Sequence, residues 1–209
     1  MNIVMLGVQG CGKGTQSKLL AKRFGLPHVS TGDLFRANIA QDTELGRKAR
    51  AYTDAGELVP DEIVIDMARD RLAQPDAAGG YILDGFPRSA AQVEALDEFS
   101  TVQHAVLLEL PDEIAVNRLA SRAECSDCGI IYGANRKPKT AGVCDECGKP
   151  LKLRSDDADV EAVRRRVAIF HKEIDVLLNH YETMGVLRRV NAEGTVEDIH
   201  ERIVAAVGR

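Results

Sequence analysis

Gly7-Val8-Gln9-Gly10-Cys11-Gly12-Lys13-Gly14-Thr15 decides how this chain is read. Before it runs Asn2-Ile3-Val4-Met5-Leu6, a short apolar stretch of the kind that forms a strand buried on both faces. After it, Leu19, Leu20 and Phe24 fall at the spacing of one helical face. A strand, a glycine-rich turn carrying a lysine, and a helix make a phosphate-binding loop. The glycines let successive N–H groups point into one hollow, the helix start adds positive potential, and Lys13 places an ammonium on the outer phosphates. A merely structural glycine turn would not need Gly7, Gly12 and Lys13 in this register. Gly14 follows the lysine and the hydroxyl comes one place later, at Thr15, which weakens the case for direct metal ligation by that hydroxyl. Cys11 sits in a cationic loop beside Lys13. That setting favours a reactive thiolate, although the side chain can equally serve as filling.

The 209 residues suit one α/β domain with small insertions. The net charge of −5 gives no basic surplus for nonspecific nucleic-acid binding, so an anion site must be a local basic pocket. Met1 leads straight into a core strand, with no signal peptide and no membrane-spanning apolar run. The expectation is a cytoplasmic protein. Five cysteines then argue for metal or redox chemistry over a disulfide framework.

Four further core strands are expected, at 26–29, Tyr81-Ile82-Leu83-Asp84, His104 to Leu110, and Val186 to Val190, alternating with helices. Ser30 or Thr31 caps a helix bearing Asp33 and Arg36, and a second helix runs to Gly56, so 30–59 reads as a helical insertion. Pro60-Asp61-Glu62 opens a helix whose Ile63, Met67 and Leu72 face the core. Asp84 ends an apolar strand at its carboxyl end, where open α/β sheets bind ligands, and suits the water shell of magnesium. Ser89 caps the helix through Gln92. A further helix from Pro111 carries Arg118 and Arg122 on one face at i, i+4. Arg154-Ser155-Asp156-Asp157 leads into a long helix from about Asp159 to Met184, and Gly194-Thr195 starts the last one.

Cys125-x-x-Cys128 and Cys144-x-x-Cys147 stand fifteen residues apart, each pair followed by a glycine. The spacing fits a closed four-thiolate zinc site, structural because no ligand position is left open.

Taken together, these motifs resemble the adenylate kinases, in their long bacterial form with a zinc-bearing lid, over essentially the whole chain. The resemblance rests on Gly7–Thr15, Ser30-Thr31-Gly32-Asp33 with Arg36, Asp84-Gly85-Phe86-Pro87-Arg88 with Gln92, the four cysteines, and Arg154-Ser155-Asp156-Asp157. It implies a P-loop core of three layers with a five-stranded parallel sheet (1–29, 60–120, 158–209), an AMP-binding piece (30–59) and a zinc-stapled lid (121–157). Gly10, Cys11, Gly12, Lys13, Gly14 and Thr15 would hold ATP, with Arg118, Arg122, Ile131, Tyr132 and Val196. Thr31, Gly32, Arg36, Glu57, Leu58, Val59, Gly85, Phe86, Pro87, Arg88 and Gln92 would hold AMP, with Arg154 and Arg165 or Arg166. Asp33 and Asp84 would hold magnesium through water, and Lys13, Arg88, Arg122, Arg154 and Arg166 would be catalytic. The partners implied are ATP, AMP and ADP, with a monomeric protein that binds neither nucleic acid nor membrane. The rivals are a kinase for another nucleoside monophosphate and a zinc-ribbon nucleic-acid module fused to a P-loop switch. Gln92 and the long lid argue against the first, and the net charge argues against the second.

One choice is settled on the helical wheel. At about 100° per residue, Val163, Val167, Phe170 and Ile174 form one stripe, Arg166 lies on its border, and Arg165 lies opposite. Arg166 is therefore expected in the cleft and Arg165 outside it.

Overall fold

The computed structural model describes residues 1–55, 57, 59–154, 157 and 159–208, with 53–55 and 160 described by backbone alone. The strands β1 (Asn2–Leu6), β2 (His28–Ser30), β3 (Tyr81–Asp84) and β4 (His104–Glu109) are joined by α1 (Lys13–Phe24), α2 (Thr31–Ala40), α3 (Glu44–Ala55), α4 (Asp61–Leu72) and α5 (Ala90–Phe99). After β4 come α6 (Asp112–Ala120), the short strands β5 (Ala123–Cys125), β6 (Ile131–Tyr132) and β7 (Leu151–Leu153), then α7 (Val160–Thr183), β8 (Leu187–Asn191) and α8 (Val196–Val207). The main sheet has five strands in the order β2-β3-β1-β4-β8, all parallel, as expected.

Strand side chains alternate between two faces, and so does the core. Val4, Leu6, Leu83, Ala105 and Leu107 pack with Val64, Ala68, Val93, Leu96, Ile174 and Leu177 from α4, α5 and α7. Ile3, Met5, Ile82, Val106 and Leu108 pack with Leu20, Ala115, Ile199, Ile203 and Val207 from α1, α6 and α8. Helices cover both faces, so the strands read as continuous apolar runs.

Several local expectations are corrected. On α1 the buried positions are Gln16, Ser17 and Leu20, while Leu19 is exposed. The helix starts at Lys13, two residues before the expected Thr15, and buries the side chains of Gln16 and Ser17. On α4 Ile63, Met67 and Leu72 pack against the core as expected, but half-buried, and the fully buried positions are Val64 and Ala68. Helix α6 stops at Ala120, so Arg122 is not on a helical face with Arg118. Ser121 Oγ lies 3.2 Å from the Asn117 carbonyl and 3.3 Å from that of Arg118, taking acceptors that the next helical turn would use. The chain turns there into β5, which pairs antiparallel with β6 and β7 in a second, three-stranded sheet that the sequence did not announce.

Helices α2 and α3 form a tight hairpin. Gly46, inside α3, lets the two backbones close, because a β-carbon there would overlap the Asn38 carbonyl. Propensity alone would make Gly46→Ala stabilising, by about 1 kcal/mol. Overpacking should win instead: we expect a net loss of about 1–3 kcal/mol and a lower calorimetric midpoint. A midpoint at or above that of the parent chain would refute this account of the hairpin.

Candidate active site

The carboxyl ends of β1, β2 and β3 open into a cavity of about 500 Å³. Its floor is the turn from β1 to α1. Gly7 and Gly10 have φ of 139° and 89°, in the region that only glycine enters freely. A β-carbon on Gly10 would lie 2.5 Å from the Ala115 carbonyl, so the loop rests directly on α6. Lys13 Nζ donates to the carbonyls of Gly7 at 2.5 Å and Val8 at 3.1 Å. Gln16 Nε2 donates to the Val196 carbonyl at 2.8 Å, tying α1 to the start of α8. Cys11 is fully buried and belongs to the core cluster of Ile3, Met5 and Val8, which fits the filling role. Its sulfur also lies 3.9 Å from Lys13 Nζ, the cationic setting expected from the sequence.

Asp84 stands at the end of β3, buried, with the His28 imidazole 3.6 Å away. Burial pushes its carboxyl up, but the polar contact with His28 and the charges of His28, Lys13 and Arg88 outweigh that and hold it below the usual carboxylate range. Arg88 donates from Nε to the Gly85 carbonyl at 2.7 Å, and Thr31 Oγ1 donates to the same oxygen at 2.9 Å. Burial first, with Arg166 and Arg36 also nearby, lowers the Arg88 pKa against the opposing pull of Asp84.

Most of the other cavity arginines face carboxylates. Arg122 grips Asp157 with two hydrogen bonds of 2.6 and 2.8 Å, and Arg166 reaches the same carboxylate at 3.2 Å. Arg154 lies 3.8 Å from Glu124, and Arg36 pairs with Asp33. Arg118 contacts the Cys11 and Ala192 carbonyls at 3.4 and 3.1 Å, so part of its donor set braces the loop.

Beside the cavity, β5 to β7 carry four cysteines whose sulfurs all lie within 4.8 Å of one another. Gly129 and Gly148 close the two knuckles, donating to the Cys125 and Cys144 carbonyls at 2.9 Å each. Three of the sulfur pairs measure 3.4, 3.5 and 3.6 Å. A tetrahedron of thiolates about 2.3 Å from a central ion has edges of about 3.8 Å, so the cage is close to that size. Desolvation opposes ionisation of Cys144, but the Cys147 N–H, the Tyr132 hydroxyl and the Glu146 N–H bring it down to about 6. Cys147 is held up to about 12: the Lys149 N–H lowers it, and the Cys125, Cys128 and Cys144 sulfurs more than reverse that. Four such thiols cannot all ionise without a cation among them. These cysteines could hold a metal ion.

The family model described as adenylate kinase matches residues 5–186. An adenylate kinase from Streptomyces avermitilis is 47% identical over 216 aligned residues, covering 100% of this chain and 98% of that one. One from Lachnospira eligens is 45% identical, with 100% of both chains covered, and one from Lachnoclostridium phytofermentans is 44% identical, covering 100% and 99%. The chain belongs to the adenylate kinase family.

Of the residues that the adenylate kinase resemblance singled out, most line this one cavity: Gly10 to Thr15, Thr31, Gly32, Asp33, Arg36, Glu57, Val59, Asp84, Gly85, Arg88, Gln92, Arg118, Arg122, Ile131, Tyr132, Arg154, Arg166 and Val196. Three do not. Phe86 is buried in the core, Pro87 lines a small side cavity against α7, and Arg165 is half-exposed beside Asp159. Leu58, Ser155 and Asp156 lie outside the described residues. The Tyr132 ring is buried in the cysteine cluster, its hydroxyl 3.5 Å from Cys144 Sγ and accepting from the Asp145 N–H at 2.8 Å, so its side chain serves the metal centre. His28, Gln16, Lys18, Glu124 and Arg136 also line the cavity and went unremarked in the sequence. Only His28 left a signal, at the end of the predicted second strand. No described helix is long and apolar enough to cross a membrane.

One equivalent of cobalt(II), a spectroscopic probe for tetrahedral thiolate sites, should give intense sulfur-to-metal absorption and shield four thiols from alkylation. Cys125→Ser should abolish both effects. Full alkylation of the cluster in the presence of metal would rule the centre out.

Proposed function

We propose that the chain catalyses reversible transfer of a phosphoryl group from ATP to AMP, giving two ADP, by direct in-line displacement in a closed site. The observation that carries this reading is the opening of the phosphate loop and the Thr31–Arg88–Gln92 pocket into one cavity lined by arginines. In this reading the loop N–H groups and Lys13 hold the ATP phosphates. Arg36 and Arg88 hold the phosphate of AMP, and Gln92 contacts its base. AMP already presents an oxyanion, so the site needs no strong general base. Its work is alignment and charge neutralisation.

The carboxylates facing Arg122, Arg166, Arg154 and Arg36 occupy guanidinium faces that nucleotide phosphates would take. Exchange of carboxylate for phosphate would couple nucleotide binding to movement of the two insertions, 30–59 and 121–157, over the core. Closure keeps water from competing as acceptor. Asp84 suits the water shell of a magnesium ion: it is an ionised oxygen donor beside the loop, its Oδ2 3.4 Å from where a β-carbon on Gly14 would lie. When bound with ATP, magnesium neutralises charge on the phosphate oxygens. Asp33 would share in holding it. For the four-cysteine centre the ion proposed is zinc, structural because all four positions are filled. A cytoplasmic monomer fits this reading.

Incubation with magnesium, ATP and each monophosphate in turn should yield ADP fastest with AMP. A faster rate with UMP, or a full rate without divalent metal, would overturn the proposal.

In this reading Arg166 is the residue on the phosphate path and Arg165 is off it, which is supported by the Arg166 side chain being 15% exposed and lining the cavity while that of Arg165 is 48% exposed. Arg166→Ala should lose at least about tenfold in turnover, the scale of one charge-assisted phosphate contact. Arg165→Ala should stay within about twofold. The reverse order would reassign the contact.

A further inference from the structure

We propose that Asp61 is a specificity-determining positioning residue, fixing which way the Gln92 amide faces so that the base pocket accepts adenine and rejects hypoxanthine. This rests on the reading of Gln92 as the residue that contacts the base. Gln92 is 1% exposed, and its amide is held at both ends. Its Oε1 accepts the backbone N–H of Arg88 at 2.8 Å, and its Nε2 donates to Asp61 Oδ1 at 2.6 Å. The other Asp61 oxygen accepts from Ser89 Oγ at 2.7 Å, and Ser89 Oγ in turn accepts the Gln92 N–H at 3.3 Å.

A primary amide has two orientations of nearly equal shape, so its surroundings choose between them. Turning Gln92 over would set its NH₂ against the Arg88 N–H and its oxygen against the Asp61 carboxylate. Donor would face donor and acceptor would face acceptor, in a buried site. Asp61 therefore supplies half of the lock. It opens α4, where a carboxylate is also welcome for the helix dipole. Yet its side chain accepts from Ser89 and Gln92, in the cap and first turn of α5.

The lock leaves one N–H and one lone pair of the Gln92 amide for a ligand in the cavity. Adenine offers that pair a donor at N6 and an acceptor at N1. Hypoxanthine, of the same size, offers an acceptor at O6 and a donor at N1, the reverse pattern. The locked amide matches only adenine, and a freed amide would turn over to suit hypoxanthine.

The test is steady-state kinetics with AMP and IMP as acceptors at fixed magnesium and ATP, on Asp61→Ala, Asp61→Asn and Gln92→Ala. For Asp61→Ala we expect the AMP-to-IMP ratio of kcat/KM to fall at least about tenfold, the scale of a bidentate base contact, with a higher KM for AMP and an unmoved KM for ATP. Asp61→Asn keeps an oxygen for the Gln92 amide and should retain most of the ratio. Should Asp61→Ala not fold, Asp61→Glu, which displaces the carboxylate by one methylene, carries the same test. An unchanged ratio in Asp61→Ala, or an equal loss with both nucleotides, overturns the inference while Gln92→Ala still loses discrimination. If Gln92→Ala itself keeps the ratio, the reading of Gln92 fails and the inference falls with it.

Discussion

The turn between β1 and α1 is pressed so closely onto its neighbours that it has no room for side chains at Gly7 and Gly10. A β-carbon on Gly7 would lie 2.7 Å from the Leu108 carbonyl, and one on Gly10 would lie 2.5 Å from that of Ala115. The loop is thereby seated on β4 and α6 at once. Arg118, from α6, fastens the carbonyl side of the loop to the chain after β8. The Gly7 and Val8 carbonyls accept from Lys13 Nζ, so the loop and its lysine are held as one unit at the floor of the cavity. The site and both insertions are arranged around that seat.

Electrostatics then explains why so many cations tolerate one another in a half-enclosed space. Arg122 and Arg166 share Asp157, Arg154 faces Glu124, and Arg36 faces Asp33. Each pairing reduces repulsion among the guanidinium groups, and each is of a kind that a phosphate can replace, since carboxylate and phosphate offer arginine the same fork of oxygens. Asp84 differs, because it is buried and held ionised by its neighbours. Its neighbours are His28, Lys13 and Arg88, and it makes no direct ion pair with an arginine among the described contacts.

The metal centre shows a different economy. Cys125, Tyr132 and Cys144 are the fully buried members of its cluster, with Ile130, Cys147 and Leu151 around them. So small an apolar group cannot offset the chain entropy of ordering the long loop between the cysteine pairs. Four sulfurs around one ion can do so, and the Tyr132 hydroxyl and the knuckle N–H groups orient those sulfurs for it.

What the sequence determined by itself is what short-range patterns govern. The alternation of β-branched runs with periodic helices announced five parallel strands, glycine spacing announced the tight turn between β1 and α1, and paired cysteines announced a four-sulfur cluster that could hold a metal. The wheel around Val163, Val167 and Phe170 separated Arg166 from Arg165, because a long helix keeps its period. The end of α6 before Arg122, the full burial of Cys11, the deeper burial of Val64 than of Ile63, and the second sheet were not legible. Nor was the grip of Asp61 on Gln92, two residues thirty-one places apart. Each of these depends on which distant backbone or side chain arrives within about 3 Å, the range over which hydrogen bonds and steric exclusion act. Only the folded chain sets those meetings.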